Sequence, residues 1–324
     1  MAQLVTIFGG SGFVGRHVAR RMALAGWRVR VVTRDPNLAG FVRPYGVVGQ
    51  VAPVFGNIRD DDSVAAAIAG SDAVVNCVGT FDASGRNGFD AVQHEGAGRV
   101  ARLAAAAGVA RLVHVSAIGA DTGGASAYAR SKAAGEDAVS AHFPGAVILR
   151  PSVIFGTDDS FFNRFAGMPG PVLPIVGGAS RFQPVWVDDV AQAAQVALTG
   201  DVTPGVYELG GPDVATLREL MEDMLLEIRR RRVIINLPFW LARPVAGVIT
   251  FAHVMSIGII PRLLTIDQVA QLRSDNVVSE GARGFADLGI EPAAMAAIVP
   301  EYLWRFRPSG QYLAIKESAR DLRN

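Results

Sequence analysis

Two groups of residues in this chain of 324 have the types and spacing to do chemistry. The first is "GGSGFVGRHVAR" at 9–20, directly after the apolar run Leu4-Val5-Thr6-Ile7-Phe8. Gly9, Gly12 and Gly15 fall between a predicted strand and a predicted helix, and Gly10, Gly12 and Gly15 also satisfy G-x-G-x-x-G. Absent side chains let a backbone approach a pyrophosphate, and the following helix, opening at Phe13 and Val14, offers amides and a partial positive charge. With a strand before it and a helix after it, the stretch predicts nucleotide binding rather than a bare tight turn.

The second group is Tyr128 and Lys132 in "SAYARSKAAGEDAV" at 126–139. A separation of four puts both on one helix face, about one turn apart. A phenol, with a pKa of about 10, is a poor acid or base until a nearby ammonium favours the phenolate. Ser116, at the end of "RLVHVS", would orient a carbonyl or alcohol, completing a Ser, Tyr, Lys set for proton transfer beside a nicotinamide. The same residues also fit a half-buried aromatic and a lysine that only holds a ribose, and spacing alone does not separate the two.

Which nucleotide binds is decided at the end of the second strand, where an acid accepts from a ribose hydroxyl and a base pairs with a 2′-phosphate. Here the residues are Thr33, Arg34 and Asp35, and Arg16 stands just after the glycine loop. Two guanidinium forks meeting one phosphate favour NADPH over NADH. The competing reading leaves both arginines in solvent and puts Asp35 on the ribose.

These groups need a scaffold, and the hydrophobic pattern supplies one. Strand-like runs at 4–8, 27–33, 51–55, 73–78, 111–115 and 146–150 alternate with helix-like segments at 13–25, 62–69, 89–107 and 126–142. That rhythm predicts an α/β fold of the Rossmann type, a doubly wound parallel sheet, with a smaller and mostly helical C-terminal domain. After Pro151 it breaks into "GMPGPVLPIVGGASRFQP" at 167–184, read as loop, then resumes with a helix near 189–199 and a strand near 205–209. The expected division is a nucleotide-binding domain at 1–154 and 183–210, a smaller domain at 155–182 and 211–310, and a tail at 311–324.

Composition narrows the function. Half the residues are hydrophobic and the formal net charge of +1 argues neither for nucleic acid nor for an acidic partner, so no nucleic acid is expected. The single cysteine, Cys77, lies in an apolar run and is expected to be a buried small hydrophobe. No metal-ligand spacing is evident, so no metal is expected. The chain enters its first strand at once, which is expected to leave no signal peptide, and no stretch of about 20 uninterrupted apolar residues appears.

Taken together, "GGSGFVG", "GNIRD" at 56–60, "VVNCVG" at 74–79, Ser116, "YARSK", "LRPSVIFG" at 149–156 and "FQPVWVDDVA" at 182–191 resemble the extended or atypical short-chain dehydrogenase/reductase superfamily. The resemblance covers about residues 1–210. It implies that Asn57 and Ile58 lie by the adenine, that Val78 and Gly79 line the cofactor, and that Pro151 and Ser152 lie near the nicotinamide. Asn57 stands where such proteins commonly have Asp, and the connection from Ser116 to Tyr128 is short.

A narrower likeness, carried by "HVSAIGAD", "SAYARSKAAGE", "FPGAVILRPSVIFG", "DDSFFNRFAGM", "FQPVWVDDV" and "LTIDQVAQLRSDNVV", is to the nucleotide-binding accessory subunits of respiratory complex I. It runs nearly the full length. It implies a structural NADPH without turnover, a place where the hydrophilic arm meets the membrane, and a role in assembly and stability beside other complex I subunits. The location implied is peripheral, on the cytoplasmic face of a bacterial inner membrane or the matrix side of a mitochondrial one.

The C-terminal sequence independently suggests an interface. Arg229-Arg230-Arg231-Arg232 end a helix expected at 214–232, and residues 233–260 are the most apolar of the chain, cut by Pro238, Pro244 and Pro261. Short apolar helices beside a basic cluster suit a membrane surface with anionic headgroups, or a subunit contact. A buried helix pair is the competing reading. Three functions remain open at this stage: a non-catalytic NADPH-holding subunit of complex I, an NADP-dependent reductase or epimerase acting on a small carbonyl or alcohol, and a redox sensor.

Overall fold

The computed structural model describes residues 2–81, 85–242, 244, 247, 265–308 and 310. It divides into two compact units. The first comprises residues 1–152, 187–210 and 278–292, and the second residues 153–186, 211–277 and 293–324.

The first unit is built on seven strands: β1 (Leu4–Phe8), β2 (Arg28–Thr33), β3 (Val51–Phe55), β4 (Ala73–Asn76), β5 (Arg111–Val115), β6 (Val147–Pro151) and β11 (Gly205–Leu209). They lie in the order β11-β6-β5-β4-β1-β2-β3, every neighbouring pair parallel. The order reverses between β1 and β4, and that point is where a sheet of this kind leaves a crevice at its carboxyl edge. Near-continuous apolar runs such as Ala73–Val75, fully buried, are what a sheet covered on both faces demands.

The helices of this unit are α1 (Phe13–Leu24), α2 (Asp61–Ile68), α3 (Glu95–Ala106), α4 (Ala127–His142) and α6 (Val187–Thr199). Their starts are written in capping residues. Asp60 accepts from the Ser63 amide at 2.7 Å to open α2, and Ser126 Oγ accepts from the Ala129 amide at 3.0 Å to open α4. Inside one apolar core Phe8, Val74, Val100, Leu112 and Val139 meet, so that helices and sheet share a single buried layer.

The helix expected at 89–107 is two elements. Residues Asp90–His94 form a π-helical turn before α3, and its cause is visible in α4: a Cβ on Gly135 would lie 2.1 Å from the Gln93 carbonyl oxygen. The widened turn presses its backbone against a helix that only glycine lets come so near.

In the second unit, β7 (Ile154–Phe155) pairs with β10 (Val185–Trp186), β9 (Arg181–Phe182) with β12 (Ala215–Thr216), and β8 (Val172–Val176) with β13 (Val233–Leu237). Its helices are α5 (Phe162–Gly167), α7 (Leu217–Glu227), α8 (Ile266–Gln271) and α9 (Met295–Leu303). Phe155, Phe162, Leu173, Leu220, Met221 and Leu303 form its core. Buried Asp159 accepts from Tyr302 Oη at 2.7 Å and from the amides of Gly156, Phe161 and Asn163, tying α9 to the start of α5.

Two sequence expectations change here. The segment 167–184, read as loop, contains β8 and β9. The apolar stretch after the arginines opens with a strand, not a helix, because β-branched Val233, Ile234 and Ile235 pack as a pleat against β8. Most of residues 243–264, Pro261 among them, lies outside the described residues, as does the tail at 311–324. Among the described residues no helix is long and apolar enough to cross a membrane. Nor does any group of three His, Cys, Asp or Glu there have the placement to hold a metal ion.

Candidate cofactor site

The glycine loop bridges β1 and α1 and is folded on itself by its own amides. Gly9 N–H donates to the Val32 carbonyl at 3.1 Å, and Gly12 N–H to the Gly9 carbonyl at 2.9 Å. Gly9 has φ +71°, a left-handed conformation. A Cβ on Gly15 would stand 2.3 Å from the Gly9 carbonyl oxygen and 2.7 Å from Gly10 Cα, so the helix crosses the loop with no room for a methyl group. α1 opens at Phe13 and Val14 with Gly12 at its N-cap position, no capping side chain and no acid in the first turn, leaving its amides to an anion.

Arg16 does not point outward. Its Nε donates to the Gly12 carbonyl at 3.2 Å and its Nη2 to the Ser11 carbonyl at 3.4 Å, while the guanidinium lies 5.1 Å from the Phe41 ring centroid. Arg34 and Asp35 are exposed beyond the carboxyl end of β2, the strand next to β1. Asp35 is engaged locally, accepting from the Asn37 amide at 3.0 Å.

At the end of β3, Asn57 receives both the Arg59 amide and Arg59 Nε on its Oδ1, each at 3.2 Å. The side chain of this residue, expected to lie by the adenine, is thus engaged by the chain's own Arg59. Ile58 is buried, against the space a Cβ on Gly96 would fill. At the end of β4, Val78 N–H donates to Asn76 Oδ1 at 3.1 Å, which turns Val78 and exposed Gly79 away from the sheet at the switch point. Cys77 is half-buried rather than buried, with its thiol pushed up to about 12 by desolvation against the pull of the Lys132 ammonium.

The Ser, Tyr, Lys set converges on the ends of β4 and β5. Lys132, 5% exposed, donates from Nζ to the Val115 carbonyl at 3.2 Å and stands 5.9 Å from the Tyr128 ring centroid. Burial lowers its pKa to about 8, opposed by attraction to Glu136 and Cys77. Ser116 is the next residue after that carbonyl; its amide donates to Leu149 at 2.7 Å, and its buried Oγ finds no hydrogen-bond partner among the described residues. Gln93 Oε1 and His114 Nε2 are in the same condition. Tyr128 is stacked on Phe81, centroids 5.5 Å apart at 12°, and meets the edge of Phe89 at 5.9 Å. Pro151 ends β6 and Ser152 follows it, Pro151 accepting from the Ile118 amide at 3.0 Å and Ser152 donating from its amide to Leu209 at 2.9 Å.

A model of the NAD dependent epimerase/dehydratase family matches residues 5–210 of this sequence. The chain belongs to that family. The match takes in residues 153–186 of the second unit as well as the first. The mitochondrial NADH dehydrogenase (ubiquinone) 1 alpha subcomplex subunit 9 of Arabidopsis thaliana is 34% identical over 95% of this chain and 79% of its own length. A ceramide reductase of Caulobacter vibrioides is 36% identical over 72% of this chain and 74% of its own. Among solved structures, a dTDP-glucose 4,6-dehydratase of Streptomyces venezuelae with NAD bound superposes with a TM-score of 0.68 at 20% identity, covering 96% of this chain and 98% of that one.

The residues of this family member fit a dinucleotide on two physical grounds: a glycine cradle that a single Cβ would fill, and an orphaned Ser116 Oγ beside a buried lysine. Sequence reasoning missed the groups that steady the site. Phe81 and Phe89 flank Tyr128. Glu136, one turn after Lys132, is 5% exposed and gripped by Arg150, whose Nη1 also lies 3.5 Å from Glu208 Oε1. Glu208 accepts in turn from the Ser279 amide at 2.8 Å. Glu136 carried one available signal, its position four residues after Lys132; Arg150 and Glu208 carried none, because strand neighbours are not readable from one sequence.

Proposed function

We propose that this chain is an accessory subunit of respiratory complex I that holds NADPH and docks peripherally at the membrane. The observation that carries the reading is the likeness to the Arabidopsis subunit over 95% of the chain, which continues well past residue 210 where the family model stops. The first unit supports the cofactor half of the reading. Gly9, Gly12 and Gly15 would receive the pyrophosphate, Arg34 with Arg16 the 2′-phosphate, and Ser116, Tyr128 and Lys132 the nicotinamide end. When bound, the nicotinamide supplies hydride donation. Tagged chain recovered from detergent-solubilised membranes tests this: complex I subunits and NADPH should come with it, and a chain recovered alone and without nucleotide would end the reading.

A second reading, a carbonyl reductase, is favoured by the intact triad together with the 36% identity to a ceramide reductase. In that case Tyr128 donates a proton to the carbonyl oxygen, Lys132 lowers the cost of the phenolate, and Ser116 Oγ orients the substrate. NADPH consumption with a carbonyl substrate, lost in Tyr128→Phe, would establish it; retention of NADPH and of complex I in that variant supports the first reading.

A further inference from the structure

In the second unit, α5 carries a charge that the surrounding chain does not answer. Phe162 and Ala166, one turn apart on this helix, are each 1% exposed and enter the core. Arg164, two positions from both, lies about half a turn round the helix from that face. A side chain on the far face of a short surface helix is expected to stand in water. Arg164 is half-buried instead, and desolvation pulls its pKa below the ordinary arginine value with no anionic neighbour to oppose the shift.

Among the described residues Arg164 makes no hydrogen bond, ion pair or ring contact, and in this it differs from every other half-buried arginine. Arg30 and Arg111 reach backbone carbonyls, Arg21, Arg150 and Arg307 reach carboxylates, and Arg232 donates to the Phe165 and Ala166 carbonyls of α5 itself. Arg16, Arg59, Arg99 and Arg283 are bonded as well. The positions one turn from Arg164, which are Ser160, Phe161, Gly167 and Met168, include no acid. Asp159 is saturated by Tyr302 and three amides, and Asn163 by the Thr157 and Asp159 carbonyls and by Arg305. A guanidinium withdrawn from water without a partner is unfavourable, and nothing within reach along α5 relieves it.

We infer that Arg164 anchors a binding site for a small oxyanion, the carboxylate or phosphate group of an organic molecule. Both groups present the two-oxygen edge that a guanidinium fork matches with paired hydrogen bonds. Half-buried Phe161 and Met168, one turn to either side, leave apolar surface beside the cation for the body of such a molecule. The inference goes beyond the accessory-subunit reading and does not depend on it.

The test is thermal unfolding of the full chain, with NADPH added to occupy the glycine loop, in sodium chloride, sodium phosphate or sodium acetate of matched ionic strength. Phosphate or acetate should raise Tm above the chloride value, and the concentration giving half the rise should be about tenfold higher in Arg164→Gln. In chloride, Arg164→Met should melt at the parent temperature or above it, because an unpaired charge has been removed. A rise with phosphate alone assigns a phosphate ester and a rise with acetate alone a carboxylate, each in support. No rise in the parent, or an equal rise in Arg164→Gln, would leave no site. A Tm several degrees lower for Arg164→Met in chloride would make the guanidinium a structural contact, and weakened NADPH binding in either variant would assign it to the nucleotide; each overturns the inference. A parent chain that binds no NADPH ends the cofactor reading alone, since the parent and Arg164→Gln share the same glycine loop and their comparison still reads the anion site.

Discussion

Arg150 grips Glu136 with a fork of parallel hydrogen bonds, Nε to Oε1 at 3.0 Å and Nη2 to Oε2 at 2.6 Å, one helical turn beyond Lys132. The pair does two things. It carries α4 onto β6, and it keeps a carboxylate near the Lys132 ammonium that burial would otherwise discharge further. Glu136→Gln removes the charge and leaves Arg150 short of its partner, half a buried ion pair. The expected loss is about 3 kcal/mol of unfolding free energy, measured by denaturant titration. Lys132 should also lose its proton at a lower pH. A loss below about 1 kcal/mol would mean that Arg150 re-pairs fully with Glu208 or water.

The glycine loop gives a prediction by contrast. Gly15→Ala places a methyl 2.3 Å from a backbone oxygen and 2.7 Å from a backbone carbon, neither of which can swing aside, whereas Gly12→Ala meets only the Gly9 oxygen at 3.1 Å. Gly15→Ala should therefore cost about 2 kcal/mol and abolish nucleotide binding, while Gly12→Ala should keep most of the stability. Thermal unfolding and nucleotide fluorescence titration of both variants check it. Equal stability of the two would show that α1 shifts to make room.

Much of this was legible because local and global signals agree. The alternation of strand-like and helix-like runs predicted the parallel sheet, and the structure brings Lys132 within 5.9 Å of the Tyr128 ring, as their spacing of four implies. What was hidden depends on contacts distant in sequence. The π-helical turn arises from Gly135 pressing on Gln93, forty-two positions apart. Phe81 reaches Tyr128 across forty-seven. The apolar run at 233–237 fits helix and strand equally by periodicity, and only pairing with β8 decides it. Arg16 was legible as a residue just after the glycine loop but not as a side chain turned onto that loop, since Phe41 lies beyond the next strand.

His114 makes the stability depend on acid. It is 2% exposed, its Nδ1 sits 3.2 Å from Asn76 Nδ2, and its pKa is lowered to about 3, first by burial and then by the Lys132 charge. In the unfolded chain a histidine titrates near 6.5. Between those values the unfolded state binds the extra proton, so stability contributed by the neutral ring is full above about pH 6.5 and falls as pH drops toward 3. Unfolding free energy followed over that range should decline, and His114→Gln should flatten part of the decline. An unchanged slope in that variant would place the proton uptake on other groups, Asp188 among them, whose carboxyl burial would raise but whose bonds from His17 and Arg21 hold it at about 2.

The proposed preference for NADPH rests on Arg34 and Arg16, which the fold treats differently. Arg34 is exposed past the end of β2, while Arg16 is already anchored to the Gly12 and Ser11 carbonyls and laid over Phe41. A charge-assisted contact to a 2′-phosphate contributes about 1.5–3 kcal/mol, so Arg34→Ala should weaken NADPH by about tenfold to a hundredfold and leave NADH nearly unchanged. Phe41→Ala should weaken NADPH less, because the loop carbonyls still hold the Arg16 guanidinium when the ring is gone. Titration of both nucleotides against the three proteins measures the ratio directly. Equal losses for NADPH and NADH in Arg34→Ala would move recognition to Asp35 on the ribose and reassign the cofactor as NADH.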